Sequence, residues 1–396
     1  MVSDAVVTAI VLGTFALLFF RQIRVYPLTR AVTAATGAVV VVALGAITPE
    51  AAVASVDTGT ILLLFGMLTH VEALSRSGFY RWAAAQLVRH TGTVRRLTLG
   101  TLGLAAVLSA VALNDAIVLL MTPVLIRAVR DAETDPAIPL IAVVLGANIG
   151  SVATPLGNPQ NAYILSRSGL TTREFVATLA PVALVSLVIA GVLLVVQLDD
   201  APIQSSVSTP DIDRQWALSS GGFLLVTFGL LVVLPTVSAG VIAASAGVLH
   251  LAWLQLFRKV PGNEILGEMD WGILVLFVGL FVLVGSIDET PLVTALQSVD
   301  GYGGLGVSTF VLSNLVSNVP AVLLLSTTVG DPTGWYVLAA VSTLAGNATP
   351  IASAATLIVL DQANRHGVEL SPRRIVRIGL PIALITSGVA VLLLQL

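Results

Sequence analysis

The sequence predicts an all-α polytopic membrane protein built as an inverted-topology repeat. Each of its two halves carries five spans plus one re-entrant hairpin, with broken helices at the membrane midplane. Three observations predict this class. The chain is too apolar for a soluble domain, two long apolar blocks are each split in the middle by polar residues, and short motifs of the first half recur in order in the second.

Of the 396 residues, 56% are hydrophobic and only 10% charged, and the mean hydropathy is +0.97. A soluble domain carries about 25% charged residues, because its surface must be covered by polar groups. The chain has no cysteine, which excludes disulfides and thiolate metal sites. A net charge of −3 gives no basic footprint for nucleic acid. Membrane lipid is the partner this composition predicts, and no cofactor is expected. The first apolar run, VVTAIVLGTFALLFF, is followed rather than preceded by basic residues (RQIR), so it reads as a retained span and not a signal peptide.

A span needs about 20 apolar residues. Ten such segments fall near 4–20, 31–48, 58–75, 137–165, 174–197, 215–234, 237–257, 271–287, 334–362 and 374–395. Two further blocks, 97–129 and 303–329, divide at VALNDAIV and LVSNVPAV into halves of about 15 residues, short for a crossing. Paired, split apolar segments are the expected mark of re-entrant hairpins. With the N-terminus outside and both hairpins returning to their own side, 17 of the 19 basic residues fall inside, from Arg21 and Arg24 through Arg130 to Arg377. Arg167 and Arg173 alone fall outside, and the C-terminus is predicted outside as well.

DTGTILLLFG (57–66) recurs as DWGILVLFVG (270–279), NDAIVLL (114–120) as NVPAVLL (318–324), and TPLGNPQN (154–161) as TPIASAAT (349–356). An odd number of spans per half makes the second half enter from the opposite side. The boundaries follow: residues 1–197 form the first repeat, 198–214 a polar cytoplasmic linker, and 215–396 the second, inverted repeat.

GSVATPLGNPQNAY (150–163) concentrates helix breakers and hydrogen-bonding groups inside an apolar chain. In hydrocarbon every backbone N–H and C=O must be satisfied within the protein. A break at Pro155, Gly157 and Pro159 therefore belongs where protein or a watery cavity surrounds it. Broken helices expose carbonyls that coordinate cations and N-termini that attract anions. GNATPIAS (346–353), with Pro350, is the counterpart in the second half. The two hairpin tips, Asn114-Asp115 and Ser317-Asn318, are predicted to meet the two breaks from opposite sides.

These four motifs together (a tip reading ND, a break reading NIGSVATPLGNPQN, a tip reading SNVP and a break reading AGNATPIASAAT) resemble the ion transporter superfamily. Within it they resemble the arsenite permease/anion permease branch, which shares the citrate transporter-like domain. The resemblance covers nearly the whole chain. It implies a scaffold domain, a mobile transport domain, a substrate and coupling ion held between tips and breaks, frequent homodimers, and a multi-pass location in a prokaryotic plasma membrane. Sodium-coupled dicarboxylate symporters of the superfamily carry Ser-Asn-Thr at both tips. Here the tips read Leu113-Asn114-Asp115 and Ser317-Asn318-Val319, and the Asn-Asp tip resembles arsenite permeases. Ala352 stands where the first repeat has Gly157.

Asp115 is the leading site residue, because a carboxylate inside the membrane costs roughly 2.5–3.5 kcal/mol on insertion scales. It reads as a proton or cation site that also caps the second hairpin arm. Asn114, Asn318 and Ser317 are expected to bridge ion and backbone at the tips. Thr154, Asn158, Asn161, Asn347, Thr349 and Ser353 are expected to line the site at the breaks, with Asn148 and Gln160 beside them. Pro155, Gly157, Pro159 and Pro350 set geometry. No metal is expected beyond a transported or coupling sodium ion. His70, His90, His250 and His366 are placed toward inside span ends or loops, and Asp57 and Asp270 as matching helix caps. Neither tip nor break carries Arg or Lys, which suits a neutral hydroxide-type solute, or an anion accompanied by a cation, better than a multiply charged tricarboxylate. The sequence thus predicts a secondary active transporter of a small inorganic anion or oxyanion-type solute, arsenite favoured, driven by a proton or sodium gradient. A sodium/proton antiporter on the same fold and a sodium-coupled carboxylate or sulfate symporter are the alternatives. No HExxH or GxSxG motif points to an enzyme.

Overall fold

The computed structural model describes residues 3–19, 28–131, 135–198, 200–203, 209–287, 290, 291, 293, 296 and 300–396. Arg21 and Arg24, the side chain of Arg130, and linker residues 199 and 204–208 lie outside the described residues. The described secondary structure is helical, apart from one isolated bridge between Thr93 and Pro202.

Helix α1 spans Asp4–Phe19 and α2 Arg30–Ala43. Thr29 caps α2, accepting from Val32 N at 3.2 Å, and Gly45 in the left-handed region (φ 71°) ends the run. At 1.5 Å per residue, the 14 residues of α2 reach only about 21 Å. The span expected over 31–48 is therefore shorter, and its last residues open α3 (Pro49–Ala54) instead, with Thr48 as N-cap and Pro49 in the first turn. Helix α4 (Thr58–Arg76) starts at Asp57, which caps it by accepting from Thr60 N at 2.7 Å. The amphipathic α5 (Phe79–His90) was not anticipated. Its apolar positions Tyr80, Ala84 and Val88 recur at helical spacing and are buried, but its charges keep it out of a hydropathy count.

The first hairpin consists of α6 (Val94–Val111) and α7 (Asn114–Asp131), packed on each other. Both arms have 18 residues, longer than predicted. Thr93 starts α6 earlier by capping Arg96 N at 3.3 Å, and α7 continues through Pro123. Helix α8 (Ala137–Val152) breaks over 153–158 before α9 (Pro159–Ser168). Then follow α10 (Thr172–Val195), α11 (Arg214–Val233) and α12 (Ala239–Trp253), the last extended by a π turn, Leu254–Arg258. Helix α13 (Gly262–Glu268) meets α14 (Trp271–Gly285) at 57°. Asp270 heads α14 but makes no capping bond, so the expected match to Asp57 fails there.

The second hairpin pairs α15 (Gly301–Val316) with a much shorter α16 (Asn318–Leu325). The hydroxyls of Ser326, Thr327 and Thr328 donate to carbonyls three residues back at 2.7–2.8 Å and tighten the end of α16 into a 3-10 turn. Helix α17 (Pro332–Ala345), a second break over 346–353, α18 (Ala354–Arg365) and α19 (Pro372–Leu393) complete the chain. Among the described residues, six helices have the length and hydropathy of a span, or seven counting the bent α13–α14 pair. The sequence expects ten. One of the six is α6, a hairpin arm expected to be too short for a crossing. Of the expected ten, α1, α2 and α8 fall short in length, 271–287 qualifies only together with α13, and the second break divides 334–362.

Packing is reciprocal between the halves. Helix α4 lies against α12, and α14 lies against α2. A Cβ on Gly66 would sit 2.1 Å from the Ala243 carbonyl oxygen, and one on Gly279 would sit 2.8 Å from that of Ala34. Each pair therefore touches backbone to backbone, which only glycine permits.

Two histidines are not where the sequence placed them. His90 and His366 do lie at helix C-terminal ends. His70 and His250 are fully buried between α4 and α12, with their Nδ1 atoms 2.9 Å apart.

Candidate functional site

Each hairpin tip is docked onto a break. At the first tip, Ala112 and Leu113 separate the two arms. The Asn114 backbone N–H donates to the Gly157 carbonyl at 3.0 Å. That contact accounts for the small residue at 157, where a Cβ would lie 2.5 Å from Ser151 Cα and 2.6 Å from the Ser109 carbonyl. At the second tip, Ser317 adopts φ 79°, ψ 158°, a region that L residues rarely occupy. Its hydroxyl donates to the Ala352 carbonyl at 3.3 Å.

Asparagines connect the pieces. Asn114 Nδ2 donates to Asn148 Oδ1 at 3.0 Å, and Asn148 Nδ2 donates to Asn347 Oδ1 at 2.9 Å. Ser353 Oγ donates to the same Asn148 Oδ1 at 3.3 Å. One chain of amides thus runs from the first tip through the first broken helix into the second, crossing 199 residues of sequence at its last step. Asn148, Asn347 and Ser353 are all buried. Asn318 Oδ1, Asn347 Nδ2 and Asn161 Oδ1 are buried without a hydrogen-bond partner. Unpaired polar atoms are costly in a low-dielectric interior and mark places where another group can bind.

The break residues mostly satisfy the backbone they free. Thr154 Oγ1 donates to the Ala110 carbonyl. Asn158 caps α9, accepting from Asn161 N at 2.9 Å, and its Nδ2 reaches Ser151 and Thr343 hydroxyls at 3.0 and 3.1 Å. Asn161 Nδ2 donates to the Ser151 carbonyl at 2.9 Å. Thr349 Oγ1 donates to Asn314 Oδ1 at 2.9 Å.

A cavity of about 520 Å³ opens where tips and breaks converge. Asn114 and Asp115 from one tip, Ser317 and Asn318 from the other, Pro159 and Gln160 from the first break, and Ala352 and Ser353 from the second all line it. Thr154, Asn158, Asn161, Asn347 and Thr349 are not on its wall; they brace the breaks behind it, together with Pro155, Gly157 and Pro350. Sequence reasoning missed four further wall residues: Arg30 at the head of α2, Glu72 on α4, Glu268 on α13 and Asp270 ahead of α14. The tips and breaks lack basic residues as expected, yet Arg30 brings a guanidinium to the cavity from another helix. No local signal marks it, because its apolar neighbours read simply as the start of a span. Among the described residues, no group of three His, Cys, Asp or Glu side chains could hold a metal ion.

Comparison with known proteins bears on the family and the fold. A family profile described as citrate transporter matches residues 15–344. A 46 kDa membrane protein of Mycobacterium leprae is 27% identical, covering 91% of this chain and 92% of its own length. A silicon efflux transporter of Oryza sativa subsp. japonica is 26% identical, covering 98% and 96%. The crystal structure of the YdaH transporter of Alcanivorax borkumensis, described as having an unusual topology, superposes with a TM-score of 0.56 at 15% identity, covering 99% of this chain and 97% of that one. The last likeness concerns the fold alone.

Proposed function

This chain belongs to the citrate transporter family, and from that premise we propose that it is a secondary active transporter of a small oxyanion-type or hydroxide-type solute, with arsenite the favoured passenger. It is a multi-pass membrane protein, and its relatives are transporters. The observation that carries the reading is the convergence of two docked tips and two helix breaks on one cavity. Sites built from discontinuous helices are the usual binding architecture of alternating-access carriers. The wall is largely apolar, and its polar groups are amides, hydroxyls and carboxylates, with Arg30 as its basic residue. This suits a neutral polyhydroxide better than multiply charged citrate, and a relative named for silicon efflux fits the same chemistry. The reciprocal packing of α4 on α12 and α14 on α2 supports an inverted repeat over 1–197 and 215–396, joined by the 198–214 linker.

A second reading follows from one specific observation. Asp115, Glu72, Glu268 and Asp270 give the wall more carboxylates than cations, which favours a cationic passenger and hence a sodium/proton antiporter.

The test is flux in purified proteoliposomes under an imposed proton or sodium gradient, wild type against Asp115→Asn, with arsenite, silicic acid and citrate as probes. Gradient-driven arsenite or silicic acid movement that is lost in the variant supports the first reading. Sodium-dependent proton flux without any of the three supports the second. Driven citrate movement overturns the neutral-solute assignment.

A further inference from the structure

The buried histidine pair has a hydrogen-bond order that can be read atom by atom. Thr227 Oγ1 donates its one proton to the Phe223 carbonyl at 2.8 Å. It must therefore accept from His70 Nε2, 3.0 Å away. His70 Nδ1 is then the acceptor of the pair, and His250 Nδ1–H donates to it across 2.9 Å. His250 Nε2 in turn accepts from the Ser220 hydroxyl at 3.0 Å. Ser220, His250, His70 and Thr227 form one directed chain in which both rings are neutral and each tautomer is fixed by its neighbour. All four residues are fully buried.

We propose that the His70–His250 pair is a proton-binding site through which a proton gradient drives this carrier, an assignment that rests on the transport reading above. An added proton, taken from water, forms one N–H bond at His250 Nε2. That group then donates to Ser220 Oγ, whose own proton rotates to a backbone carbonyl one turn back on α11, a bond that serine readily makes in helices. Every other bond in the chain stays as it is. The charge is shared across the Nδ1–H···Nδ1 bridge. It also meets the face of Phe223, which stacks on His250 with ring centroids 4.5 Å apart and planes at 13°, an arrangement that favours a cation. Ionisable groups held within a membrane are functional by default.

The charged groups on the surrounding elements are Asp57, Glu72 and Arg76 of α4, Arg214 of α11, Arg258 and Lys259 after α12, Glu264 and Glu268 of α13, Arg81, Arg89 and His90 of α5, Arg167 of α9 and Asp270 before α14. Neither imidazole is bonded to any of them. Arg76 is held by Glu264 and Glu268 at 3.5 Å each, and Arg258 by Asp213. The link to the solute is α4 itself, which carries His70 toward α12 and Leu68, Val71 and Glu72 on the cavity wall.

The experiment follows the ring nitrogens of the full chain, labelled with 15N-histidine in lipid nanodiscs, from about pH 8 down to about pH 3, because complete burial disfavours a charged imidazole. His70→Gln and His250→Gln assign the signals. The same variants are tested in proteoliposomes with arsenite, both for proton-driven flux and for exchange without a gradient, and their melting temperatures verify folding. The expected result is a coupled titration of the two rings. His250→Gln removes the proton site, so driven flux should fall to the level of gradient-free exchange while exchange itself persists. Ring nitrogens that remain neutral throughout the range in folded protein overturn the proposal, as does driven flux in a folded His250→Gln equal to wild type. If arsenite does not move at all, the titration alone decides the proton site, and the failure belongs to the assigned solute.

Discussion

Asn148→Ala is the perturbation that reads the amide chain most directly. Asn148 accepts from Asn114 and Ser353 and donates to Asn347, at 3.0, 3.3 and 2.9 Å. Truncation strands all three partners: Asn347 is buried behind the cavity, whereas Asn114 and Ser353 meet water only on the cavity side. Side-chain hydrogen bonds between membrane helices average about 0.6 kcal/mol in double-mutant cycles, with a maximum near 1.7. Three such bonds give roughly 2 kcal/mol, and the cavity left behind adds to that. The assay is reversible unfolding in mixed micelles, with the cycle closed by Asn347→Ala and the double variant. The expected coupling between 148 and 347 is about 0.6 kcal/mol, because that bond is counted once in each single variant. Affinity for the proposed solute should fall in parallel, since the chain sets the spacing of tip and breaks. A stability loss below about 0.5 kcal/mol, typical of a featureless surface substitution, would refute the claim that these amides hold the site together.

Three further outcomes are expected. Gly66→Ala should destabilise by about 1–3 kcal/mol, because its Cβ meets the Ala243 carbonyl and α4 must retreat from α12; the open position Gly221→Ala is the control in a melting series. Gly157→Ala should undock the first tip and reduce transport more than it reduces the melting temperature, measured as flux per folded protein. Ser317→Gly should relieve a positive φ worth of order 1–3 kcal/mol against one weak bond to Ala352, so the variant should melt higher than wild type.

The breaks and tips were legible because they violate the chemistry around them. TPLGNPQN and the ND tip stand out in an apolar chain, and the helices do stop at those places. What escaped was convergence from a distance. Arg30, Glu72 and Glu268 reach the cavity from three different helices, and each alone is a charge near the end of a span. Asn148 was only one amide among several until its bond to a residue 199 positions away appeared. His70 and His250, 180 positions apart, read as separate interfacial residues because nothing local announces a shared proton. The unequal hairpin arms were hidden as well. Hydropathy treats Ser326–Thr328 as mild interruptions, whereas three consecutive back-bonding hydroxyls end the helix.

The glycine contacts at α4–α12 and α2–α14 have a mechanical meaning. Surfaces that meet backbone on backbone have no side-chain cushion and cannot slide without collision, so each pair behaves as a welded beam. Under the proposed transport cycle, displacement would be carried where larger side chains intervene, along the seam between these beams and the broken helices. The cavity lies on that seam, with Glu72 of α4 on one side and Asp115, Gln160 and Ser353 on the other. On the proposed carrier reading, the passenger would be exposed by moving one wall of the site past the other, with the two glycine contacts holding the first wall in register.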